Sequence, residues 1–342
     1  MNRPYPAPHR TGRRRFLKIA AAAAGGAALP NRSAPSFSPR HVERDFLLGA
    51  DTEIQLYHPD AQAARAAIAR CLAEVRRLEA IFSLEQPASA LSRLNRNGRL
   101  IDPPPELVAL LGRAAHFSRT TSGAFDVTVQ PLWELFRRHF SAGDADLNGP
   151  AAGDIGRALS RVGYQQVQIG PERIALGCDG AAITLNGIAQ GFITDRVTEM
   201  LRAQGFDHVL VNMGEMRALL GHPDGTPWRV GIADPDRPWS SFRTLPLVGQ
   251  SIATSGGYGT PFDASGRHHH LFDPRSGASA DHYRSVSVLA PDATTADALS
   301  TGLSALPPKA ALAVLNAYPN VGALLLTRNG GLLRAGAVPD LP

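Results

Sequence analysis

Helix-period and strand-period segments follow one another in this 342-residue chain without regular alternation, and no other feature narrows the choice of fold as far. Ile68, Leu72, Val75, Leu78 and Phe82 recur at three- and four-residue spacing behind a capping Asp60, which predicts a long helix over 60–82. A strand pair over 42–58, turning at Gly49-Ala50-Asp51, precedes it, and a polar connection over 83–97 leads to a second helix over 105–118. Residues 142–153, rich in Gly, Ala, Asp and Pro, read as a flexible insertion. Short strands dominate afterwards, at 209–212, 217–220, 228–233, 243–247, 251–254, 284–290, 323–327 and 332–335, with helices over 293–305 and 309–317. A doubly wound parallel sheet requires strand and helix in strict turn. The expectation is therefore a single α+β domain over 41–338, with mixed or antiparallel sheets and helices, in two lobes with the site between them.

Charge is unevenly distributed. The net charge is +5, but Arg3, Arg10, Arg13, Arg14, Arg15, Lys18, Arg32 and Arg40 stand in a stretch with no acid. Beyond residue 40 there are 27 basic against 30 acidic side chains, which excludes a nucleic-acid footprint. The basic start reads Gly12-Arg13-Arg14-Arg15-Phe16-Leu17-Lys18, followed by a mild apolar run over 19–29. That is the twin-arginine pattern, and residues 1–40 are expected to act as an export signal and linker for passage into the periplasm. The apolar run is about half of the roughly 20 residues that cross a bilayer, so no membrane-spanning segment is expected. Cys71 and Cys178 do not make a disulfide framework; Cys71 falls on the apolar face of the long helix and reads as a buried, inert thiol.

Three local patterns carry chemistry. Asp297 and Thr301 lie four residues apart in a predicted helix and share one face, as a carboxylate and a hydroxyl would to hold part of the oxygen shell of a hard cation. The segment Ile183-Thr184-Leu185-Asn186-Gly187-Ile188-Ala189-Gln190-Gly191 reads as strand, glycine turn and helix start, a place where exposed amides favour phosphate. In His268-His269-His270, neighbours in an extended segment point to alternate faces, so the three cannot converge on one zinc ion. One is expected to face a site and the others to be solvated. Ser122-Gly123-Ala124-Phe125-Asp126 divides evenly between two readings: an aromatic covering a flat ligand, or a loop that packs Phe125 and caps the next helix.

Six motifs in order make the chain resemble one family. They are Ser-x-x-Ser-x-x-Asn from Ser89, Gly-Ala-Phe-Asp-x-Thr-Val-x-Pro-Leu from Gly123 and Gly-Ile-Ala-x-Gly-Phe-x-x-Asp from Gly187. Thr-Ser-Gly-x-Tyr from Thr254, His-x-x-Asp-Pro-x-Ser-Gly from His270 and Ala-Asp-Ala-Leu-Ser-Thr from Ala296 complete the set. The pattern resembles the ApbE family of FAD:protein FMN transferases across 42–335. The resemblance implies a periplasmic, Mg²⁺-dependent enzyme that cleaves the pyrophosphate of FAD. FMN would pass to a Thr or Ser hydroxyl of an acceptor flavoprotein with an FMN-binding domain, with release of AMP. It further implies Asp297, Thr301 and a backbone oxygen near Gly187 as metal ligands. Ala124, Phe125, Asp126, Thr184, Gln190, Ser255, Tyr258 and Asp273 would belong to the FAD site, and His270 would be the general base. The chain departs from the family pattern in carrying Thr184 where an acid is common and Gln190 where a lysine is common, with Arg275 or another arginine left to replace that cation. Two alternatives stand beside transfer: hydrolysis of FAD to FMN and AMP at the same site, or periplasmic flavin binding without catalysis.

Overall fold

The computed structural model describes residues 17–19, 38–237 and 239–339. A three-residue strand, β1 (Leu17–Ile19), is followed by the hairpin β2 (Arg40–Leu47) and β3 (Ala50–Tyr57). Then come α1 (Ala61–Phe82), α2 (Ala90–Asn97), β4 (Arg99–Ile101), α3 (Pro105–Thr120), α4 (Gln130–Phe140) and α5 (Ala152–Leu159). The short β5 (Gln168–Ile169) and β6 (Arg173–Ala175) precede α6 (Ala189–Arg202). Strands β7 (Val209–Asn212), β8 (Met216–Ala218), β9 (Trp228–Ala233), β10 (Ser241–Leu247), β11 (Ser251–Ser255) and β12 (Tyr283–Ala290) lead to α7 (Ala293–Ser304) and α8 (Pro308–Leu315). The chain closes with β13 (Gly322–Thr327) and β14 (Leu332–Gly336).

Eight strands form one sheet in the order β14-β13-β12-β11-β8-β7-β3-β2, antiparallel at every pairing. The fold is the expected α+β class. Period-2 alternation divides its strands between two cores. Val209, Val211, Ala253, Val286, Val288 and Leu325 face the layer of helices α1, α3, α6 and α7. Leu210, Met216, Ile252, Leu289 and Leu324 face the second sheet and pack on Trp228, Val230, Leu245 and Leu247. A smaller cluster of Leu132, Leu135, Phe136, Ala158 and Phe272 joins α4 and α5 to the histidine segment.

The long helix starts where its cap predicts, with the Asp60 carboxylate accepting the amides of Gln62 and Ala63 at 2.7 and 3.1 Å. Cys71 is fully buried in it, burial pushes its thiol up to about 11, and neither cysteine forms a disulfide. Two expectations are corrected. The connection over 83–97 contains α2, because Ser89 caps the amide of Ser92 at 2.9 Å and Leu91 and Leu94 turn into the core. The insertion over 142–153 is tied down, since His139 Nε2 bonds the Asp146 carbonyl at 2.8 Å and Arg267 reaches the Leu147 carbonyl. Within the expected export segment, Leu17–Ile19 adds an antiparallel strand to β9, whose open edge would otherwise present unpaired backbone groups. Arg3, Arg10, Arg13, Arg14, Arg15 and Arg32 of that segment lie outside the described residues, and no described helix is long and apolar enough to cross a membrane.

A third difference sets up the site. Residues 181–185 join no strand. The Asn95 side chain takes a strand's place, donating to the Ile183 carbonyl and accepting the Ile183 amide, each at 2.8 Å, while the Thr184 amide bonds Val127. Asn95→Ala leaves both groups of fully buried Ile183 without a partner and is expected to cost roughly 2–4 kcal/mol, against about 0.5 kcal/mol or less for Arg99→Ala on the exposed neighbouring strand. Urea denaturation of the two variants beside the parent checks this.

Candidate functional site

Helix α7 is a buried helix with a single opening. Every residue in it is buried except Thr301. Its N-terminus is held twice. Asp292 accepts the Thr295 amide at 2.9 Å, and Asp195 of α6 accepts the amides of Ala293 and Thr294 at 2.8 and 2.9 Å. Arg217 pairs with the same Asp195 carboxylate at 2.9 Å, so a cation and a helix N-terminus share one buried anion. One turn further on, fully buried Asp297 accepts the Gly191 amide at 3.0 Å on Oδ2. Only glycine fits here: a Cβ on residue 191 would stand 2.3 Å from the Ala293 carbonyl oxygen.

The predicted ligand set comes together. A Cβ on Gly187 would lie 2.9 Å from the Thr301 hydroxyl oxygen, so the backbone of the turn presses against that side chain. Ser255 joins them, its hydroxyl 2.8 Å from Ser300 and 3.3 Å from Thr301. Asp297, Thr301 and the backbone beside Gly187 offer hard oxygen donors only. Among the described residues no three His, Cys, Asp or Glu side chains are grouped for a metal. A cation here would therefore draw on the Asp297 carboxylate, the Thr301 hydroxyl and the backbone, an all-oxygen set that fits Mg²⁺ and not a zinc cage.

Two adjoining cavities open beside this turn. The first, of about 210 Å³, is lined by Leu48, Phe82, Trp133, Asn186, Gln190, Ile193, Thr260 and His270 among others. The second, of about 480 Å³, is lined on one side by Arg96, Arg137 and Arg161. Leu84, Glu85, Trp133 and Asn186 border both, and Asn186 directly precedes Gly187.

The histidine run splits three ways. His270 reaches the first cavity. The expectation that its neighbours are solvated is corrected: His269 is 4% exposed against Gly257, and His268 packs on Phe136 and Phe140 with ring centroids 5.8 and 5.0 Å away. Burial pulls His269 down to about 4, so it is neutral. Asp273 lines neither cavity; both of its oxygens hold Arg275, at 2.8 and 3.0 Å. Arg275 also bonds the Ala305 carbonyl, and it is the arginines of the second cavity that stand near the cleft instead.

Other expected residues take supporting places. Ala124 and Phe125 are core residues, Phe125 beneath α7 where a Cβ on Gly302 would come within 2.9 Å of it. The ligand-covering reading of Phe125 is thereby corrected to packing. Asp126 is buried, accepting the Thr128 amide and hydroxyl at 2.8 and 2.6 Å and the Tyr164 amide at 2.9 Å; burial pushes its carboxyl up while these bonds oppose the shift. Gln190 lines the first cavity and packs on Gly214, whereas Thr184 lines neither and accepts the Asn186 amide at 3.3 Å. Tyr258 folds over Gly256, and burial pushes its phenol above its ordinary value. The amides expected to cradle phosphate are mostly engaged: Ile188 and Ala189 donate to the Leu185 carbonyl at 3.0 and 2.8 Å, and Gly191 to Asp297. Sequence reading missed Trp133 and the arginines. Of these, only Arg137 had a local signal that could have been read, its place one helical turn from Trp133; its guanidinium lies 5.2 Å from that ring.

Comparison with known proteins gives a consistent result. The model of the ApbE family matches residues 48–325. The FAD:protein FMN transferase of Treponema pallidum is 29% identical over 306 residues, covering 82% of this chain and 83% of that protein. The crystal structure of the ApbE protein of Thermotoga maritima superposes with a TM-score of 0.77 at 28% identity, covering 87% of this chain and 97% of the other. The apo flavinyl transferase ApbE of Pseudomonas stutzeri gives 0.76 at 26% identity, with 87% and 95% covered.

The buried histidine gives the site a pH signature. His269 takes a proton less readily in the fold, at about 4, than in the unfolded chain, near 6.5. Its contribution is complete above pH ~6.5 and is lost as pH falls towards 4, up to roughly 3 kcal/mol. Urea midpoints at several pH values between 7 and 4 should fall more steeply for the parent than for His269→Gln.

Proposed function

The chain belongs to the ApbE family, and we propose that it is a FAD:protein FMN transferase, cleaving the pyrophosphate of FAD and placing FMN on a Thr or Ser hydroxyl of an acceptor flavoprotein with release of AMP. One observation carries the reading. The single unburied residue of α7, Thr301, meets Gly187 one turn from buried Asp297, beside a cavity that His270 enters.

Asp297, Thr301 and a backbone oxygen near Gly187 would hold Mg²⁺. Bound there, the cation would offset charge on the bridging phosphates during displacement. The chain's own groups do the rest. Apolar walls of Leu48, Phe82 and Ile193 exclude water and receive a flat ring, with Trp133 at the edge. His270, with its amide bonded to the Thr260 carbonyl at 3.2 Å, takes the proton of the incoming hydroxyl. Gly191 orients Asp297 by donating its amide to Oδ2 at 3.0 Å. Export to the periplasm by the twin-arginine route is part of the same proposal and rests on Arg13-Arg14-Arg15-Phe16-Leu17-Lys18.

The test is incubation with FAD and Mg²⁺, with and without an FMN-binding-domain acceptor, following AMP by chromatography and acceptor mass by spectrometry. The expected result is one FMN on the acceptor for each AMP released. AMP with no labelled acceptor would favour FAD pyrophosphatase activity, and intact bound FAD a binding protein. Asp297→Asn should abolish transfer, and His270→Ala should slow it by about 10²–10⁴-fold while FAD still binds.

A further inference from the structure

We propose that the second cavity, walled by Arg96, Arg137 and Arg161, is the docking site for an acidic segment of the acceptor polypeptide; the inference rests on the transferase reading.

The three guanidinium groups are exposed, and each is held by a neutral partner. Arg137 lies over the Trp133 ring at 5.2 Å, and Arg96 donates to the Pro87 carbonyl at 3.2 Å. Arg161 lies against Gly180, where a Cβ would stand 3.0 Å from its Cζ. Gly180 has a φ of +75°, so both its backbone and its missing side chain make room for that guanidinium. None of the three makes an ion pair with a described carboxylate. Elsewhere the chain pairs its arginines freely: Arg44 with Glu53, Arg77 with Glu74 and Glu106, Arg113 with Asp292, and Arg217 with Asp195. Three cations around one cavity, none of them paired with the two glutamates that also border it, make a receptor for an anion.

A second observation points to a ligand. Gln130 is 5% exposed and lines this cavity. Its amide nitrogen donates to Glu134 at 3.1 Å, while among the described residues its carbonyl oxygen Oε1 has no hydrogen-bond partner. A buried acceptor in that state calls for an N–H donor.

The combination selects the occupant. FAD carries no carboxylate, and its only strongly anionic atoms are those of the pyrophosphate, whose place is at the Asp297–Thr301 pair. A polypeptide bearing Asp or Glu supplies the anion for the arginines. Glu85 and Glu134 also border the cavity and would exclude segments that are acidic throughout, leaving one or two well-placed carboxylates. Trp133 and Asn186, which border both cavities, would then set the segment beside the turn where FAD is cleaved.

The experiment compares Arg96→Gln, Arg137→Gln and Arg161→Gln with the parent, reading the KM for an FMN-binding-domain acceptor and, separately, the Kd for FAD by flavin fluorescence. Each substitution should raise the acceptor KM by about tenfold, the worth of one charge-assisted hydrogen bond. The Kd for FAD and the thermal midpoint should stay unchanged, and added salt should raise the acceptor KM more steeply for the parent than for the variants. Arg161→Lys should restore part of the loss. A rise in the Kd for FAD with no change in acceptor KM would assign the cavity to the dinucleotide and overturn the proposal. No change in either would reduce it to a solvated surface. A parent protein that labels no acceptor would defeat the transferase reading itself and this inference with it.

Discussion

The contact on which the rest of the site depends is that between the start of α6 and the start of α7. A carboxylate buried as deeply as Asp297 is costly unless hydrogen bonds replace water. The Gly191 amide supplies one at 3.0 Å, and it can do so only because nothing but hydrogen stands between residue 191 and the Ala293 carbonyl. Four residues along α6, Asp195 reaches the first amides of α7. The spacing 191/195 on one helix thus matches 293/297 on the other, and each pair lies on one helical face. Two helices locked in this register leave Thr301, one turn beyond Asp297, as the place where α7 meets the surface.

The two halves of that contact were legible because each is local, whereas their pairing, across 106 residues from Gly191 to Asp297, was not. The four-residue interval from Asp297 to Thr301 and the glycines at 187 and 191 state their geometry in the sequence itself. The long helix was legible for the same reason, its apolar stripe and Asp60 cap lying within one element. What failed to show is what depends on distant partners. Asn95 stands in for a strand beside Ile183 across 88 residues, and a sequence cannot show that such a segment will be completed by a side chain. Phe125 and Asp126 illustrate a different ambiguity. An aromatic beside an acid after glycine looks alike whether it meets a ligand or the core, and only Gly302, Thr128 and Tyr164 decide for the core. The motif still serves the site, at one remove, by packing the underside of α7.

The histidine run shows how far alternation alone can carry a reading. Neighbouring residues in an extended segment diverge, so one histidine reaching the cavity implies that its neighbour turns away. It does: His269 enters the interior against Gly257 while His270 lines the cavity. Alternation gives direction and not environment, however. Whether the far side is water or protein depends on Phe136 and Phe140 of α4, which cover His268, and on the Gly256-Gly257 backbone, which admits His269. The satellite cluster of α4, α5 and Phe272 therefore shapes the site by holding the segment that bears His270.

The two cavities differ in kind, and the difference matches the demands of a transfer between unlike substrates. A flat, mostly apolar ring is best held by closure and exclusion of water, which the narrow first cavity provides with Phe82, Ile193 and Leu48. A protein partner must dock reversibly from solution, and there exposed charge helps most, since it raises the rate of encounter and selects orientation. The larger, arginine-walled cavity has that character. The residues common to both, Leu84, Glu85, Trp133 and Asn186, are few, and Asn186 directly precedes the glycine that touches Thr301. A hydroxyl delivered along the charged side would reach His270 and the pyrophosphate only at that junction. Water would have free access to the same place whenever the second cavity stood empty. The balance between transfer and hydrolysis would then be set by how well the acceptor fills the charged side, and not by any change in the residues that line the first cavity.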